Sequence, residues 1–475
     1  MTKTTITKTQ RWVLGLSALA SFMVVLDLLV VATALPSIHR DLGASLEELE
    51  WTVNAYTLSF AVLLMAGAAL GDRLGRRRMF AAGLVLFASA SAGCALAPSV
   101  DALVVARTVQ GAGAAVLMPL ALALLNAAFP PERRGWATGV YGSVTALAVV
   151  LGPVLGGAVT QGLAWPWIFW INVPIALIAA PLVIFRVPES RGARERVDLA
   201  GLLLGGLAAT GLVWALIRGN GAGWGSAETV GAAVLGIAAL AAFVAWERRV
   251  PAPILPLRLF RSRSFSAGNS AMFFLSAAVT GAIFFTAQFF QIGQGLGPLA
   301  AGLRLLPWGV LPMVLAPSAG ALADRIGARN LIAVGTLAFA AGTAALALAA
   351  APHASYLVLV VPILLSGAGL GVATPAITRS AVSLVGPADL AKASGAFSTL
   401  RQLGGAFGVA IGGAVFAATG GYGSAALYVD GYTPAVLVAA VLTLGATAAG
   451  LTLPRAVTAV PAAAAAQPMP AGGRV

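Results

Sequence analysis

The sequence predicts an all-α membrane protein with fourteen spanning helices, and three observations carry that reading. Of its 475 residues 59% are hydrophobic and only 9% charged, and the mean hydropathy is +0.92. A soluble domain carries roughly 25% charged residues, so this chain cannot cover a water-facing surface and lipid must be its main solvent. The second observation is fourteen apolar runs, each near the roughly 20 residues that a helix needs to cross the hydrocarbon core. The third is that the cations alternate with those runs.

The first six runs are Val13–Leu35, Thr52–Leu70, Met79–Ala97, Leu103–Leu125, Ala137–Val159 and Pro166–Phe185. Two more follow, Leu199–Ile217 and Val230–Trp246. The last six are Phe265–Phe290, Leu303–Leu322, Leu331–Ala350, Leu357–Ile377, Ala396–Ala418 and Pro434–Leu453. They are too long and too rich in Ala, Leu and Gly for barrel strands, which alternate over about ten residues. With the N-terminus in the cytoplasm, Arg40, Arg218 and Arg304 fall outside, Arg107 and Arg401 fall within helices, and the other 24 of 29 Lys and Arg fall inside. That bias is the positive-inside rule, and it places both termini in the cytoplasm. The loop after the first run is acidic instead, with Asp41, Glu47, Glu48 and Glu50.

The net charge of +13 does not point to nucleic acid, because the cations sit in short loops and form no single exposed patch. The single cysteine, Cys94, excludes an intramolecular disulfide. His39 and His353, the only histidines, fall in expected outer loops, so no metal site is expected. Arg outnumbers Lys 26 to 3, and with abundant Ala and Gly this points to a GC-rich bacterial genome. The first run is too long for a cleavable signal.

An internal repeat divides the chain. Leu70-Gly-Asp72-Arg73-Leu-Gly75-Arg-Arg77 recurs as Leu322-Ala-Asp324-Arg325-Ile-Gly327-Ala-Arg329. The organisation read from it is a six-helix bundle over residues 1–197, a two-helix insert over 198–250, a second six-helix bundle over 251–455, and a disordered cytoplasmic tail over 456–475. Repeated halves mark secondary transporters, whose substrate site lies between them near the midplane. Each copy of the motif suits a tight inner turn, with Asp72, Arg73, Gly75 and Arg77, and Asp324, Arg325, Gly327 and Arg329, forming a latch between conformations.

At this motif the chain resembles the major facilitator superfamily, up to about Arg455, and its fourteen helices with Leu26-Asp27 in the first resemble the drug:proton antiporter branch. Further matches are Arg107-Thr-Val-Gln110-Gly111, Gly152-Pro153-Val-Leu-Gly156-Gly157, Trp167-Ile-Phe-Trp-Ile-Asn172-Val-Pro174 and Arg401-Gln402-Leu-Gly404-Gly405. The resemblance implies a major facilitator fold of two six-helix bundles plus two extra linking helices. Because the helix 5 motif goes with exporters, it also implies outward transport. There are departures: Leu29 and Ala32 replace a Thr and an Asn usual in the first helix, and Ala68 and Ala148 replace motif glycines.

Asp27 is the only acidic residue expected within a spanning helix. An intramembrane carboxylate is costly unless paired or wetted and is a functional candidate by default. Arg107 lies at a compatible depth and is its expected partner, so protonating Asp27 would free Arg107 and permit a conformational switch. Gly152-Pro153 invites a bend and Gly156-Gly157 close packing. Arg401 and Gln402 are candidates for a polar anchor in the second half. Candidate cavity residues are Asn54, Tyr56, Asn172, Phe284, Gln288, Gln291 and Trp308, aromatics and amides that suit a lipophilic ligand. No carboxylate is expected in the spanning parts of the second bundle, which favours neutral, monocationic or anionic cargo over dications.

ATP drive is disfavoured, since Lys3, Lys8 and Lys392 all lack the glycine that precedes the lysine of a phosphate loop. A membrane enzyme would want His, Cys or paired acids at one depth. The reading is a monomeric, proton-driven exporter of lipophilic small molecules in the bacterial inner membrane. It needs no cofactor or metal and has no nucleic-acid partner. A proton-coupled importer of a small metabolite is the alternative.

Overall fold

The computed structural model describes residues 6–192, 198–251, 253–382, 385 and 389–454, with the side chains of 320, 321, 323–326 and 382 outside it. Among them are fourteen helices long and apolar enough to cross a membrane. These are α1 (Lys8–Leu42), α2 (Leu46–Leu74), α3 (Arg76–Ala95), α4 (Val100–Ala128), α5 (Pro131–Gly162), α6 (Trp167–Arg186) and α7 (Leu199–Ala222). The others are α8 (Ala227–Glu247), α9 (Arg263–Gly293), α10 (Pro298–Ile326), α11 (Ala328–Ala349), α12 (Tyr356–Val382), α13 (Leu390–Thr419) and α14 (Ala425–Leu451). Helices are what lipid demands, because each backbone group inside it must be satisfied within its own segment.

Several helices outrun their apolar stretches. Hydropathy ends where charges begin, but caps end helices. α1 starts at a reciprocal Thr7–Gln10 capping box and stops at Gly43, where φ is +66°. α2 starts at a second box, Ser45–Glu48. Glu50, expected in a loop, therefore lies in the second turn of α2. His39 and Arg40, also expected in a loop, lie in the last turn of α1. In α6 a single turn, Trp167–Trp170, is offset at Ile171 from the helix that resumes at Asn172.

The helix pairs repeat. α1 packs on α5, α2 on α4 and α3 on both α4 and α6; α9 packs on α13, α10 on α12 and α11 on both α12 and α14. The repeat extends to single glycines: Gly75 and Gly327 are 252 residues apart, as are Gly152 and Gly404, and Gly156 and Gly408. Gly75 and Gly327 both hold positive φ, +114° and +84°, at the turns where α3 and α11 begin. Gly156 lies against Thr33 and the Val30 backbone of α1, and Gly408 lies against the Ala277 carbonyl of α9. Such contacts hold helices together by van der Waals packing where lipid offers no hydrophobic drive. Substituting Gly408→Val should therefore lower stability by about 1–3 kcal/mol. Gly15→Ala, where a Cβ meets nothing within 4 Å, should change it little. Thermal unfolding in detergent checks the pair.

The halves meet along two seams, α2 with α13 and α5 with α10. The insert helix α7 lies beside the first. Its Ala209, Val213 and Ile217 share one apolar cluster with Leu58 of α2 and Ala406 and Ala410 of α13. Fourteen helices alternate in direction, so both described chain ends emerge at one end, here termed basal; the opposite end is apical. Cross-half contacts run down the α2–α13 seam, where Thr399 donates to the Ala61 carbonyl at 3.3 Å and Gly395 lies against Met65, and others lie at the apical end. Gln291 Nε2 donates to the Thr33 carbonyl at 3.0 Å, and the Leu299 amide donates to Gln161 Oε1 at 3.2 Å. Gly157 abuts the Pro298 backbone, and the Pro153 carbonyl abuts Gly302. Towards the base, Gly135, Gly139 and Gly142 of α5 have open space beside them.

Candidate functional site

Five helices of the first bundle converge on Asp27. Arg107 Nη1 of α4 donates to Asp27 Oδ2 at 2.5 Å, and both side chains are fully buried. Asp27 Oδ1 accepts from Gln110 Nε2 and from Asn172 Nδ2, each at 2.8 Å. Arg107 also donates to Gln110 Oε1 at 2.7 Å and, through Nε, to the Thr52 carbonyl of α2 at 3.1 Å. Its guanidinium lies 4.2 Å from the centroid of the Tyr56 ring. Ser91 of α3 accepts from Gln110 and Asn172 and donates to the Phe169 carbonyl at 2.8 Å. Three N–H donors on two oxygens suit an acceptor-only carboxylate, and the ion pair offsets part of the cost of burying either charge.

The local sequence explains the arrangement. Arg107 and Gln110 are three apart, so they share a face of α4. Gly111 lets α2 approach, since a Cβ there would overlap Ser59 and the Tyr56 carbonyl. The offset in α6 brings Asn172 to the carboxylate. Two residues expected to line a substrate cavity are therefore committed elsewhere: Asn172 bonds Asp27, and Tyr56 carries the guanidinium and donates to the Val24 carbonyl at 3.2 Å. Ser91, the Thr52 carbonyl and Cys94, whose thiol donates to Gln110 Oε1 at 3.5 Å, are not anticipated. Serine and cysteine are ordinary small residues in membrane helices, and nothing in the sequence marks which face of α3 they occupy.

At the basal end, Asp72 pairs with Arg76 at 2.7 Å, one turn on, while Arg73 is exposed. Arg77 and Arg78 lie 3.7 and 3.8 Å from Glu189, beyond the end of α6, and the Arg77 amide donates to Glu189 Oε1 at 2.9 Å. Gly75 is needed twice over: its φ is +114°, and a Cβ there would collide with Glu189. The ion pairs at the first copy of the motif are thus Asp72 with Arg76, and Arg77 and Arg78 with Glu189; among the described residues Arg73 joins neither. In the second copy, Gly327 and Arg329 flank the start of α11, and the side chains of Asp324 and Arg325 lie outside the described residues.

The helix 5 motif faces two ways. Gly152 and Gly156 lie against Leu29 and Val30 of α1, while Pro153 and Gly157 meet the α10 backbone of the other half. The profile of the Major Facilitator Superfamily matches residues 17–409. The chain belongs to that superfamily. It is 35% identical over 404 residues to a tetracenomycin C resistance and export protein of Streptomyces glaucescens, covering 84% of this chain and 74% of that one. It is 36% identical over 413 residues to the multidrug resistance protein Stp of Mycobacterium tuberculosis, covering 86% and 76%. Among solved structures, a bacterial homologue of the human lysosomal transporter Spinster superposes with a TM-score of 0.66 at 17% identity, covering 93% of this chain and 96% of that one.

Transporters built from repeated halves hold their cargo near the midplane between them, and the remaining cavity candidates of this chain divide by their hydrogen-bond partners. Gln288 donates to the Phe284 carbonyl and accepts from Tyr422 at 2.6 Å, Gln291 bonds Thr33, and Phe284 packs on Phe285 at 4.9 Å. These side chains are occupied in packing the apical part of α9. By contrast, both amide atoms of buried Asn54 and the Nε1 of buried Trp308 have no hydrogen-bond partner among the described residues. The same is true of Arg107 Nη2 and Arg401 Nε. Arg401 lies eleven residues into α13, deeper than its apolar run suggested, and Gln402 beside it is buried. Asp430 lies in α14 near the apical end and is exposed.

Proposed function

We propose that this protein is a proton-coupled antiporter that exports lipophilic small molecules across a bacterial cytoplasmic membrane by alternating access. The Asp27–Arg107 pair is the observation that carries the coupling. It is a titratable carboxylate, fully buried in the hydrocarbon region and held there by a cation and two amides. A carboxylate in such a site loads a proton when its surroundings change, and loading it removes the charge that holds Arg107. Resistance and export names among relatives at 35% and 36% identity support the outward direction and the cargo class. The basal end, with most of the cations, is the cytoplasmic face. The protein acts as a monomer and is driven by the proton-motive force without a cofactor.

The expected result in energised cells is efflux of a fluorescent lipophilic monocation such as ethidium. A protonophore should stop it, and re-energising the cells should restore it. Efflux that continues at the same rate after the proton gradient is collapsed would overturn proton coupling, and energy-dependent accumulation would reverse the direction.

A further inference from the structure

Asp27 is not the only carboxylate enclosed by this fold. Glu50 lies in the second turn of α2, at the apical end of the seam with α13, and is 1% exposed. Its carboxylate lies against Gly413 so closely that any Cβ at 413 would overlap it. Oε2 has no hydrogen-bond partner, and no salt bridge reaches Glu50 among the described residues.

Among the described residues no cation is paired with it. One turn earlier on α2, Glu47 is held by Arg218 of α7 at 2.5 Å, and Arg218 also holds Glu228 of α8 at 2.9 Å. From the connection between α13 and α14, Tyr422 donates to Gln288; burial, and then the nearby Glu50, push its phenol well above the usual range. Tyr422 is therefore neutral. From α1, His39 lies against Tyr422 with ring centroids 4.9 Å apart and planes tilted by 30°, and its Nδ1 lies 2.5 Å from the Ala44 carbonyl. From α14, Tyr428 donates to the Phe285 carbonyl at 3.0 Å. The seam is also braced from the side, where Asn220 of α7 donates to the Ala414 carbonyl.

An ionised carboxylate without a counter-ion or a full donor set is costly to bury, whereas the neutral acid is far cheaper. With the seam closed as it is here Glu50 is buried; parting α2 from α13 at this end would return the carboxylate to water. We propose that Glu50 is a second proton-binding site, loaded from the apical aqueous phase, and that its loading is a condition for closing the apical gate. The inference rests on the alternating-access reading above but not on Asp27. Glu50 then acts separately from the coupling pair, because an empty carrier open to the outside closes only after its gate carboxylate has taken up a proton. The proton comes from bulk water and leaves to it on reopening, so Glu50 gates the cycle without carrying charge across.

The test is a distance measurement across the gate. Spin labels at Asp41→Cys and Ala426→Cys, both exposed positions, report the apical separation in the full chain in lipid nanodiscs, with buried Cys94 left in place. Between about pH 8.5 and about pH 5, the ratio of short to long distances should rise by up to about tenfold per pH unit as Glu50 titrates. In Glu50→Gln, and in Glu50→Ala, the short distance should dominate at both pH values. In Asp27→Asn the pH response should persist, which separates a failure of this gate from a failure of the coupling site. A wild-type distance that does not move with pH would overturn the proposal. So would a response that survives in Glu50→Gln, including one that then disappears in His39→Gln.

Discussion

Asp27→Asn should abolish uphill export while leaving a folded carrier that still exchanges substrate down its gradient. The amide occupies nearly the same volume, so the packing of α1 against α4 and α6 is kept. Its oxygen can still accept from Arg107, but its NH2 then replaces the acceptor of Gln110 Nε2 and Asn172 Nδ2, and both of those donors must turn away. A lost or mismatched buried hydrogen bond costs about 1–3 kcal/mol, which a fourteen-helix bundle absorbs. What the amide cannot do is take up and release a proton. One proton moving inward supplies about 2.3 kcal/mol per 100 mV and about 1.4 kcal/mol per pH unit. For an uncharged substrate wild type should therefore sustain a gradient of roughly ten- to several hundred-fold, and Asp27→Asn a gradient near one. The measurement is the steady-state substrate ratio across proteoliposome membranes under an imposed pH gradient and potential, beside exchange without either. An undiminished uphill ratio in the variant would make Asp27 structural.

Much of this site is legible in the sequence. An apolar run that contains one Asp, and another that contains an Arg, force the two together, because lipid offers neither charge another solution. Gln110 follows Arg107 by one helical turn and falls beside it. Asn172 and Tyr56 are recognisable as polar residues in the right helices, but the expectation set them in the cargo cavity and the fold sets them around the ion pair. Which way a side chain points depends on the rotation of its helix, and an apolar run with polar residues scattered around it does not encode that rotation. Asn172 also depends on the offset at Ile171, which hydropathy does not register.

Glu50 escapes the hydropathy reading for a different reason, and the remedy lies in the sequence. Hydropathy starts the second run at Thr52 because three acids precede it. Yet Ser45-Leu-Glu-Glu48 is a capping-box pattern, and a helix begun there carries Glu50 into its second turn. The same pattern at Thr7-Lys-Thr-Gln10 marks the start of α1. The turn after α2 shows the opposite limit. Arg73 looks as good a partner for Asp72 as Arg76, and only the i, i+4 geometry selects Arg76. Glu189 is 112 residues from Arg77, and no local pattern joins them. By hydropathy the two-helix insert is only a linker. Its packing beside the α2–α13 seam, with Arg218 on Glu47, comes from shape and charge matching over a sequence distance of 171 residues.

Arg107→Ala should do more damage to stability than Asp27→Asn, and a double variant should recover part of it. Removing the guanidinium leaves a fully buried carboxylate with no counter-ion, at a cost of about 3–5 kcal/mol. It also strips the cation from the Tyr56 face, leaves the Thr52 carbonyl without its donor and opens a cavity between α1, α2 and α4. In the single variant Asp27 has one escape, to bind a proton and become neutral, so the loss should shrink as the pH is lowered. In Asp27→Asn/Arg107→Ala no buried charge is left, and the remaining loss is that of packing and hydrogen bonds. The stability losses of the two single substitutions should therefore exceed that of the double by about 1.5–3 kcal/mol, the coupling expected of a buried charge pair. The cycle is read from thermal or denaturant unfolding in detergent at neutral and at acid pH, with uphill transport absent in all three variants. Additive losses, unchanged between the two pH values, would mean that the 2.5 Å contact carries no electrostatic coupling. The switch built on breaking it would then have nothing to release.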